Sequence, residues 1–184
     1  MDASEPAPVK LIVGMLAGRV ELLDAAAGRL AEAFGPVDLV SRTWDFDFTD
    51  YYAAQMGPDL LRRFVGFERP VRPEDLGGIK RQTGAIEAAF ARDGAGGGGP
   101  PRPVNLDPGY VAESKLVLAS TKDFAHRVYL GGGIFAEVTM TYARGAWRPL
   151  PHTFPDYAAG TYDAFLSAAR DRLRARLGRK GARA

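Results

Sequence analysis

Cysteine is absent from the 184-residue chain, and histidine is scarce, with only His126 and His152. Without thiols the protein can form no disulfide, no thiolate metal site and no cysteine nucleophile. Long apolar runs are also missing, since none approaches the roughly 18–20 residues that span a bilayer. The first residues are acidic and include proline, unlike the basic-then-apolar order of a signal peptide. We therefore expect a cytoplasmic protein with no membrane partner.

The net charge of +2 conceals a basic C-terminal end. Seven basic residues and one acidic residue lie from Arg170 onward, so this end carries +6 and residues 1–169 carry −4. A segment of this kind can bind nucleic acid. It is also typical of the solvated end of a terminal helix, where cations suit the helix dipole. The second interpretation is favoured, because no aromatic residue lies among the arginines to stack on bases.

Apolar patterning predicts a single α+β domain over residues 9–177. The order of its first elements is βαββαβ, the pattern of a ferredoxin-like fold. The predicted strands span residues 10–16, 37–48, 61–71 and 104–106, and the predicted helices span 21–34 and 74–91.

Beyond this core, the chain is expected to continue with a β-hairpin and a terminal helix. A tight turn is predicted at residues 107–110 and a short helix at 113–120. The hairpin joins residues 126–130 to 134–142 across three glycines. Three segments are predicted to lie outside regular structure: a disordered leader at 1–8, a flexible Gly/Pro loop at 94–103 and a basic tail at 178–184.

Several segments combine residues in an unusual way. They are DFDFTDYY at 45–52, NLDPGY at 105–110, SKLVLASTKD at 114–123, HRVYL at 126–130, AEVT at 136–139 and FPDY at 154–157. In this order and spacing they resemble a bacterial and archaeal family known as domain of unknown function 4416. The likeness covers residues 9–177. It implies no established activity, although relatives have been labelled GTP-binding.

GTP binding has weak support in the residues themselves. A P-loop needs Gly, four residues and then Gly-Lys-Ser/Thr, so that backbone N–H groups surround the phosphates. The chain has no such string, and Thr121-Lys122-Asp123 lacks the spacer of a guanine-reading Thr-Lys-x-Asp motif. The Gly-x-Ser-x-Gly elbow of serine hydrolases is absent as well. GTPase and serine-hydrolase chemistry are therefore disfavoured.

Carboxylates form one candidate metal site. Asp45 and Asp47 lie on the same side of a predicted strand, and Asp50 follows them. Together with Asp107 and His126 they would suit magnesium or manganese better than zinc. The alternative is that Asp45 and Asp47 form the solvent face of a strand whose aromatic residues are buried, and this alternative is favoured.

The densest polar stretch, residues 115–127, indicates an anion site. Basic groups beside a histidine are what a phosphate or carboxylate ligand needs. The alternative is a structural ion-pair network, and the pattern does not decide between the two. The predicted ligand-binding residues are Lys115, Lys122, His126, Arg127 and Glu137.

Three functions fit these patterns, and we rank them in the following order. The first is a module that binds a small anionic ligand, either nucleotide-like or phosphorylated. The second is a divalent-metal-dependent enzyme on a phosphorylated substrate, with Asp107 and His126 as candidate catalytic residues and His126 moving a proton. The third is an RNA-associated or complex-forming protein that uses the basic C-terminal helix as its contact.

Overall fold

A computed structural model describes residues 3–94 and 99–178. Within these ranges the chain forms nine β-strands and five α-helices. The strands are β1 (Lys10–Ala17), β2 (Val37–Val40), β3 (Trp44–Phe46), β4 (Leu60–Phe67), β5 (Val104–Val111), β6 (Lys115–Ser120), β7 (Val128–Gly131), β8 (Ile134–Ala143) and β9 (Ala146–Pro149). The helices are α1 (Val20–Phe34), α2 (Ala53–Met56), α3 (Leu76–Gly94), α4 (Pro155–Ala158) and α5 (Asp163–Arg176).

All of these strands belong to one antiparallel sheet. Its order is β2-β4-β1-β5-β6-β8-β7, with β3 also paired to β4 and β9 also paired to β8. β1 lies between β4 and β5, and each of its residues is buried. The continuous apolar run of β1 is typical of a strand covered on both faces, so its predicted central position is confirmed.

Helices cover both faces of the sheet. Leu11, Val13 and Met15 of β1 pack with α1 and α3, whereas Ile12 packs with α5 on the opposite face. This is the two-residue alternation of a strand, and it confirms that the two early helices share one face. The α+β class is confirmed too. The exact ferredoxin-like topology stays a prediction, because the sheet continues beyond the four strands of that pattern.

Two local predictions are wrong. Residues 115–120 form a strand rather than part of a short helix, because β6 is inserted between β5 and β8 and its four central residues are buried. Residues 107–110 do not turn, because β5 continues through Pro108, which pairs with Val13. β6 joins β5 only from Gly109 onward, so Pro108 has no β6 neighbour on that side. Proline is tolerated where a strand is partly unpaired.

Other boundaries differ in smaller ways. The predicted strand at 37–48 is divided into β2 and β3, which pair with successive parts of β4. The predicted hairpin is present as β7 and β8. Gly94 is the last residue of α3, while residues 1–2, 95–98 and 179–184 of the predicted leader, loop and tail lie outside the described residues. No helix in the described ranges has the length and hydropathy to cross a membrane.

Candidate functional site

A cleft opens where β5 and β6 part. The two strands are paired from Val111 and Leu116 to Gly109 and Leu118, and the pairing ends there. Asp107 on β5 and the end of β6 then line opposite sides of a cleft of about 530 Å³. α4 and residues from the β3–α2 segment complete its wall. A gap between neighbouring strands therefore provides the site.

The lining of the cleft carries more basic than acidic side chains. Its five basic residues are Arg62, Lys80, Arg102, Lys122 and Arg127. Its three acidic residues are Asp107, Glu137 and Asp156. An excess of cations in a concave site favours anions over neutral or cationic ligands.

Arg62 is the most buried cation of the cleft, with 4% of its surface exposed. Its Nη1 lies 3.7 Å from Asp107 and its Nη2 lies 3.7 Å from Asp156, distances too long for hydrogen bonds. Nε and Nη1 are buried and make no hydrogen bond to any described residue. Burial lowers the pKa of Arg62, but Tyr157 and the two carboxylates outweigh it and raise the pKa overall. The cleft thus contains a charged guanidinium with unsatisfied donors.

Gly14 makes room for this guanidinium. It pairs with Asp107 on β5 and with Phe64 on β4, so it lies under the side chain of Arg62. A Cβ atom on Gly14 would lie 2.9 Å from both Arg62 Nη1 and the Phe64 ring. Only glycine allows the approach, which indicates that the position of Arg62 depends on the backbone of β1.

Asp107 is held in its ionised form. Asn105 donates a hydrogen bond of 2.6 Å to it, and Lys80 Nζ lies 3.5 Å away while donating to the carbonyl of Leu106. Burial would raise the pKa of Asp107, but Lys80, Arg62 and Asn105 outweigh burial and lower the pKa below its ordinary value. Asp107, whose side chain is 26% exposed, is therefore a carboxylate rather than a carboxylic acid.

Asp156 lies in a different environment. It is 3% exposed, and Tyr162 donates a hydrogen bond of 3.0 Å to it. Burial raises the pKa of Asp156 above its ordinary value, despite the opposing effects of Arg62 and Tyr162. The hydroxyl of neighbouring Tyr157 is buried without a hydrogen-bond partner among the described residues. Asp156 therefore keeps a proton to a higher pH than an ordinary aspartate does.

A hydrogen-bond network around Glu137 holds Arg127 on the β6 side of the cleft. Arg127 donates to Glu137 at 2.8 Å and to Ser120 at 2.7 Å. His126 Nε2 lies 3.1 Å from the same Glu137 oxygen, and Thr139 donates to the other oxygen. Glu137 is itself almost fully buried. It therefore orients Arg127 toward the cleft.

Aromatic side chains surround the opening of the cleft. Four of those that line it are more than a third exposed: Phe48 (38%), Tyr51 (60%), Phe124 (52%) and Phe154 (40%). Lys122 Nζ lies 3.8 Å from the centre of the Tyr51 ring. Exposed apolar rings grouped at one opening are typical of a binding surface.

The sequence model of one protein family, described as domain of unknown function (DUF4416), matches residues 7–173. The chain belongs to this family. No curated protein and no solved structure matches the chain. The DUF4416 match contains every residue that lines the cleft, so the cleft lies wholly within the family domain.

Part of the predicted ligand site lies in the cleft of this DUF4416 domain. Lys122, Arg127 and Glu137 line it, together with Asp107. His126 is outside the lining, where it contacts Glu137 and stacks between Phe124 and His152 with ring centres 5.9 and 4.2 Å away. Lys115 does not line the cleft, because it is exposed at the opposite end of β6 from Ser120.

The predicted metal residues do not gather in the cleft. Asp45 and Asp47 are exposed on either side of buried Phe46, as expected for the solvent face of a strand. The side chain of Asp50 lies outside the described part of the structure. Among the described residues there is no group of three His, Asp or Glu side chains that could hold a metal ion. The magnesium or manganese site stays a prediction.

Three important residues of the DUF4416 cleft were missed by the sequence interpretation: Arg62, Lys80 and Asp156. The sequence contains a signal for two of them. Arg62 and Arg63 interrupt the apolar strand β4, where strand alternation puts one of them on a buried face, and Lys80 lies one helical turn after Leu76, on the apolar face of α3. A charge at a core position needs a partner or a ligand. Asp156 lies in the FPDY segment at 154–157, which contributes to the family resemblance but indicates no role for the carboxyl group.

The basic helix α5 is engaged with the body of the domain. Arg172 lies 3.6 Å from Asp38, and Arg176 lies 3.3 Å from Glu68. Arg170 donates to the backbone carbonyl of Glu113. Arg172 and Arg176 nevertheless remain about half exposed, and nucleic-acid binding through α5 stays a prediction.

Proposed function

We propose that the protein binds a small anionic ligand, nucleotide-like or otherwise phosphorylated, in the cleft between β5 and β6. The observation that carries this proposal is Arg62, a buried guanidinium with two nitrogens that have no hydrogen-bond partner among the described residues. Unsatisfied buried donors cost about 1–3 kcal/mol each, more when charged, and a bound anion removes that cost. The planar fork of arginine matches phosphate and carboxylate oxygens.

Three other cations of the cleft already have close carboxylate partners. Arg102 pairs with Glu87, and Arg127 pairs with Glu137. Lys80 is shared between Asp107 and a carbonyl oxygen. Arg62 differs from these three because two of its nitrogens have no hydrogen-bond partner among the described residues, and the exposed Lys122, which contacts Tyr51, offers a second cation for the ligand.

The aromatic opening supports a ligand that also carries a planar ring. A base stacked on an aromatic side chain gains about 1–3 kcal/mol in single-stranded nucleic-acid complexes. The volume of about 530 Å³ lies within the roughly 300–1,000 Å³ typical of small-molecule sites. Phosphate at Arg62 and a base near Phe48, Tyr51 and Phe124 together describe a nucleotide.

Thermal unfolding with a ligand panel tests this proposal. The panel contains inorganic phosphate, ribose 5-phosphate and the four ribonucleoside 5′-monophosphates. A ligand at 100 times its Kd stabilises by about 2.7 kcal/mol, which raises the Tm of a chain of this length by about 5–10 °C. We expect larger shifts with the nucleotides than with phosphate. The absence of a shift with every phosphorylated compound at millimolar concentration would contradict the proposal.

A conservative variant of Arg62 distinguishes phosphate binding in the cleft from phosphate binding elsewhere on the protein surface. Arg62→Lys keeps the charge and loses the fork, so we expect at least tenfold weaker phosphate binding by calorimetry. The matched control is Arg63→Lys, whose side chain lies on the opposite face of β4 and contacts Thr43 and Asp24. It should bind as the wild type does. An equal loss of phosphate affinity in Arg62→Lys and Arg63→Lys would contradict a binding site that depends on Arg62.

A second variant acts on Arg62 without replacing it. Gly14→Ala introduces a Cβ 2.9 Å from Nη1, which displaces the guanidinium from the cleft. We expect the calorimetric Kd for the best ligand of the panel to rise about tenfold, the change that corresponds to about 1.4 kcal/mol. Gly18→Ala is the control, because no atom lies within 4 Å of the added Cβ. Unchanged binding in Gly14→Ala would contradict the dependence of the site on β1.

A further inference from the structure

The two carboxyl groups beside Arg62 indicate a catalytic role for the cleft in addition to ligand binding. We propose that the cleft hydrolyses a phosphate monoester, with Asp156 giving a proton to the leaving oxygen and Asp107 accepting one from the attacking water. This inference rests on the proposed binding of phosphate by Arg62.

The two carboxyl groups flank one guanidinium. Asp107 lies 3.7 Å from Nη1 and Asp156 lies 3.7 Å from Nη2. A phosphoryl group held by the fork of Arg62 therefore has one carboxyl group near each end of the fork. In phosphoryl transfer the attacking and leaving oxygens lie roughly in line on opposite sides of phosphorus. The positions of Asp107 and Asp156 suit one oxygen each.

The surroundings of Asp156 and Asp107 indicate which of them is the acid and which is the base. Asp156 is buried beside Tyr157 and Tyr162, and burial raises its pKa, so it retains a proton more readily than an ordinary carboxyl group. For Asp107, the cations Lys80 and Arg62 outweigh burial and lower the pKa, so it stays ionised. Pairs of titratable groups with pKa values moved in opposite directions are typical of acid and base partners.

The reaction balances with water as the only co-substrate. The oxygen of water forms a bond to phosphorus while the bond between phosphorus and the ester oxygen breaks. The proton of Asp156 goes to the ester oxygen and gives an alcohol, and a proton of the water goes to Asp107. The products are the alcohol and inorganic phosphate, after which both carboxyl groups exchange protons with solvent. Arg62 and Lys80 stabilise the charge on the phosphoryl oxygens.

The weak basicity of Asp107 is compatible with this step. The transition state of phosphoryl transfer is loose, with little bonding to the nucleophile. The attacking water therefore loses its proton late and needs little help from a base. Protonation of the leaving oxygen matters more when the leaving alcohol is poorly acidic, as it is in a nucleoside.

Phosphate release from two kinds of substrate tests the inference. Wild-type protein with a chelator is incubated with the four ribonucleoside 5′-monophosphates and with p-nitrophenyl phosphate, whose leaving group needs no protonation. We expect release from both. Asp156→Asn should slow nucleotide hydrolysis at least 100-fold, within the 10²–10⁴ range of general acid catalysis, and slow p-nitrophenyl phosphate hydrolysis less than tenfold. Asp123→Asn, an exposed carboxylate outside the cleft lining, is the control and should resemble wild type.

Each other outcome has a definite meaning. A nucleotide-dependent rise in Tm without phosphate release overturns the inference and leaves ligand binding intact, while no rise in Tm removes both. Equal slowing of the two substrates by Asp156→Asn, or activity that requires added magnesium or manganese, overturns the assigned roles. If Asp156→Asn does not fold, the rates at which wild-type protein hydrolyses a series of aryl phosphates test the role of Asp156. A rate that falls steeply as the leaving phenol becomes less acidic would exclude Asp156 as the general acid.

Discussion

Replacing Arg62 with methionine is expected to lower the free energy of unfolding by about 3 kcal/mol at neutral pH and to abolish phosphate binding. Arg62 is the cation that lies between Asp107 and Asp156, and its side chain is 5% exposed. Without it, two carboxyl groups remain in the cleft, and Lys80, 3.5 Å from Asp107, compensates the charge of Asp107 only in part. Urea denaturation monitored by circular dichroism measures the loss. Arg63→Met, which removes a contact to the exposed carboxylate of Asp24, should cost less than about 1 kcal/mol.

The loss of stability should depend on pH. Burial raises the pKa of both carboxyl groups, and Arg62 opposes that effect in each. In Arg62→Met the folded-state pKa of Asp107 should rise toward or above the unfolded value of about 3.9, and that of Asp156, which is already raised, should rise further. A carboxyl group with a raised folded pKa contributes stability below the unfolded pKa and loses it as pH rises through the folded pKa. The difference between Arg62→Met and wild type should therefore be largest near pH 7 and shrink toward pH 4.

A rescue experiment separates stability from binding. Adding Asp107→Asn and Asp156→Asn to Arg62→Met removes the uncompensated charges, so most of the lost stability should return. Phosphate binding should not return, because the guanidinium is absent. A triple variant that stays as unstable as Arg62→Met would contradict charge compensation as the cause.

Gly109→Ala is expected to destabilise the protein by about 3 kcal/mol. Gly109 forms the last pair between β5 and β6, opposite Leu118. An added Cβ would lie 2.5 Å from both the backbone carbonyl oxygen of Val117 and the side chain of Leu118. The carbonyl cannot move without shifting β6, so the clash must separate the two strands further. Thermal and urea unfolding measure the effect.

The control for this variant is another glycine in regular structure. Gly84 is exposed in the middle of α3, and no atom lies within 4 Å of an added Cβ. Alanine there should stabilise the helix by about 0.5–1 kcal/mol. A Tm for Gly109→Ala within about 2 °C of wild type would contradict the close approach of β5 and β6.

Local patterns in the sequence predicted the central part of the fold. The apolar run of β1 and the helical stripe of α3 each depend on residues close together in the chain, and both were identified. The sequence of β6 does not indicate a strand, because its central residues, Leu116 to Ala119, are covered on both faces and show no alternation. A strand of this kind is distinguished only by its neighbours, β5 and β8, which the local sequence does not contain.

The candidate site was predictable only in part for the same reason. Lys122 and Arg127 occur in the dense polar stretch at 115–127, which indicates a site, whereas Glu137 lies in the AEVT segment that contributes to the family resemblance. Arg62 and Arg63 are adjacent charges in an otherwise apolar strand, and the strand register decides which of them faces the cleft. Register places Arg62 opposite Leu16 of β1, two residues from Gly14, which lies opposite Asp107 on the other side of the same strand. Strand pairing over such sequence distances is a property of the folded sheet.

The separation of β5 from β6 also has a mechanical consequence. In a continuous sheet the helices on one face cannot touch those on the other, because the strands lie between them. Here Lys80 enters the gap from α3 on one face, and Asp156 enters it from α4 on the other. An anion bound in the gap would therefore connect the two helical layers through the sheet. Separating either layer from the sheet would then require release of the ligand.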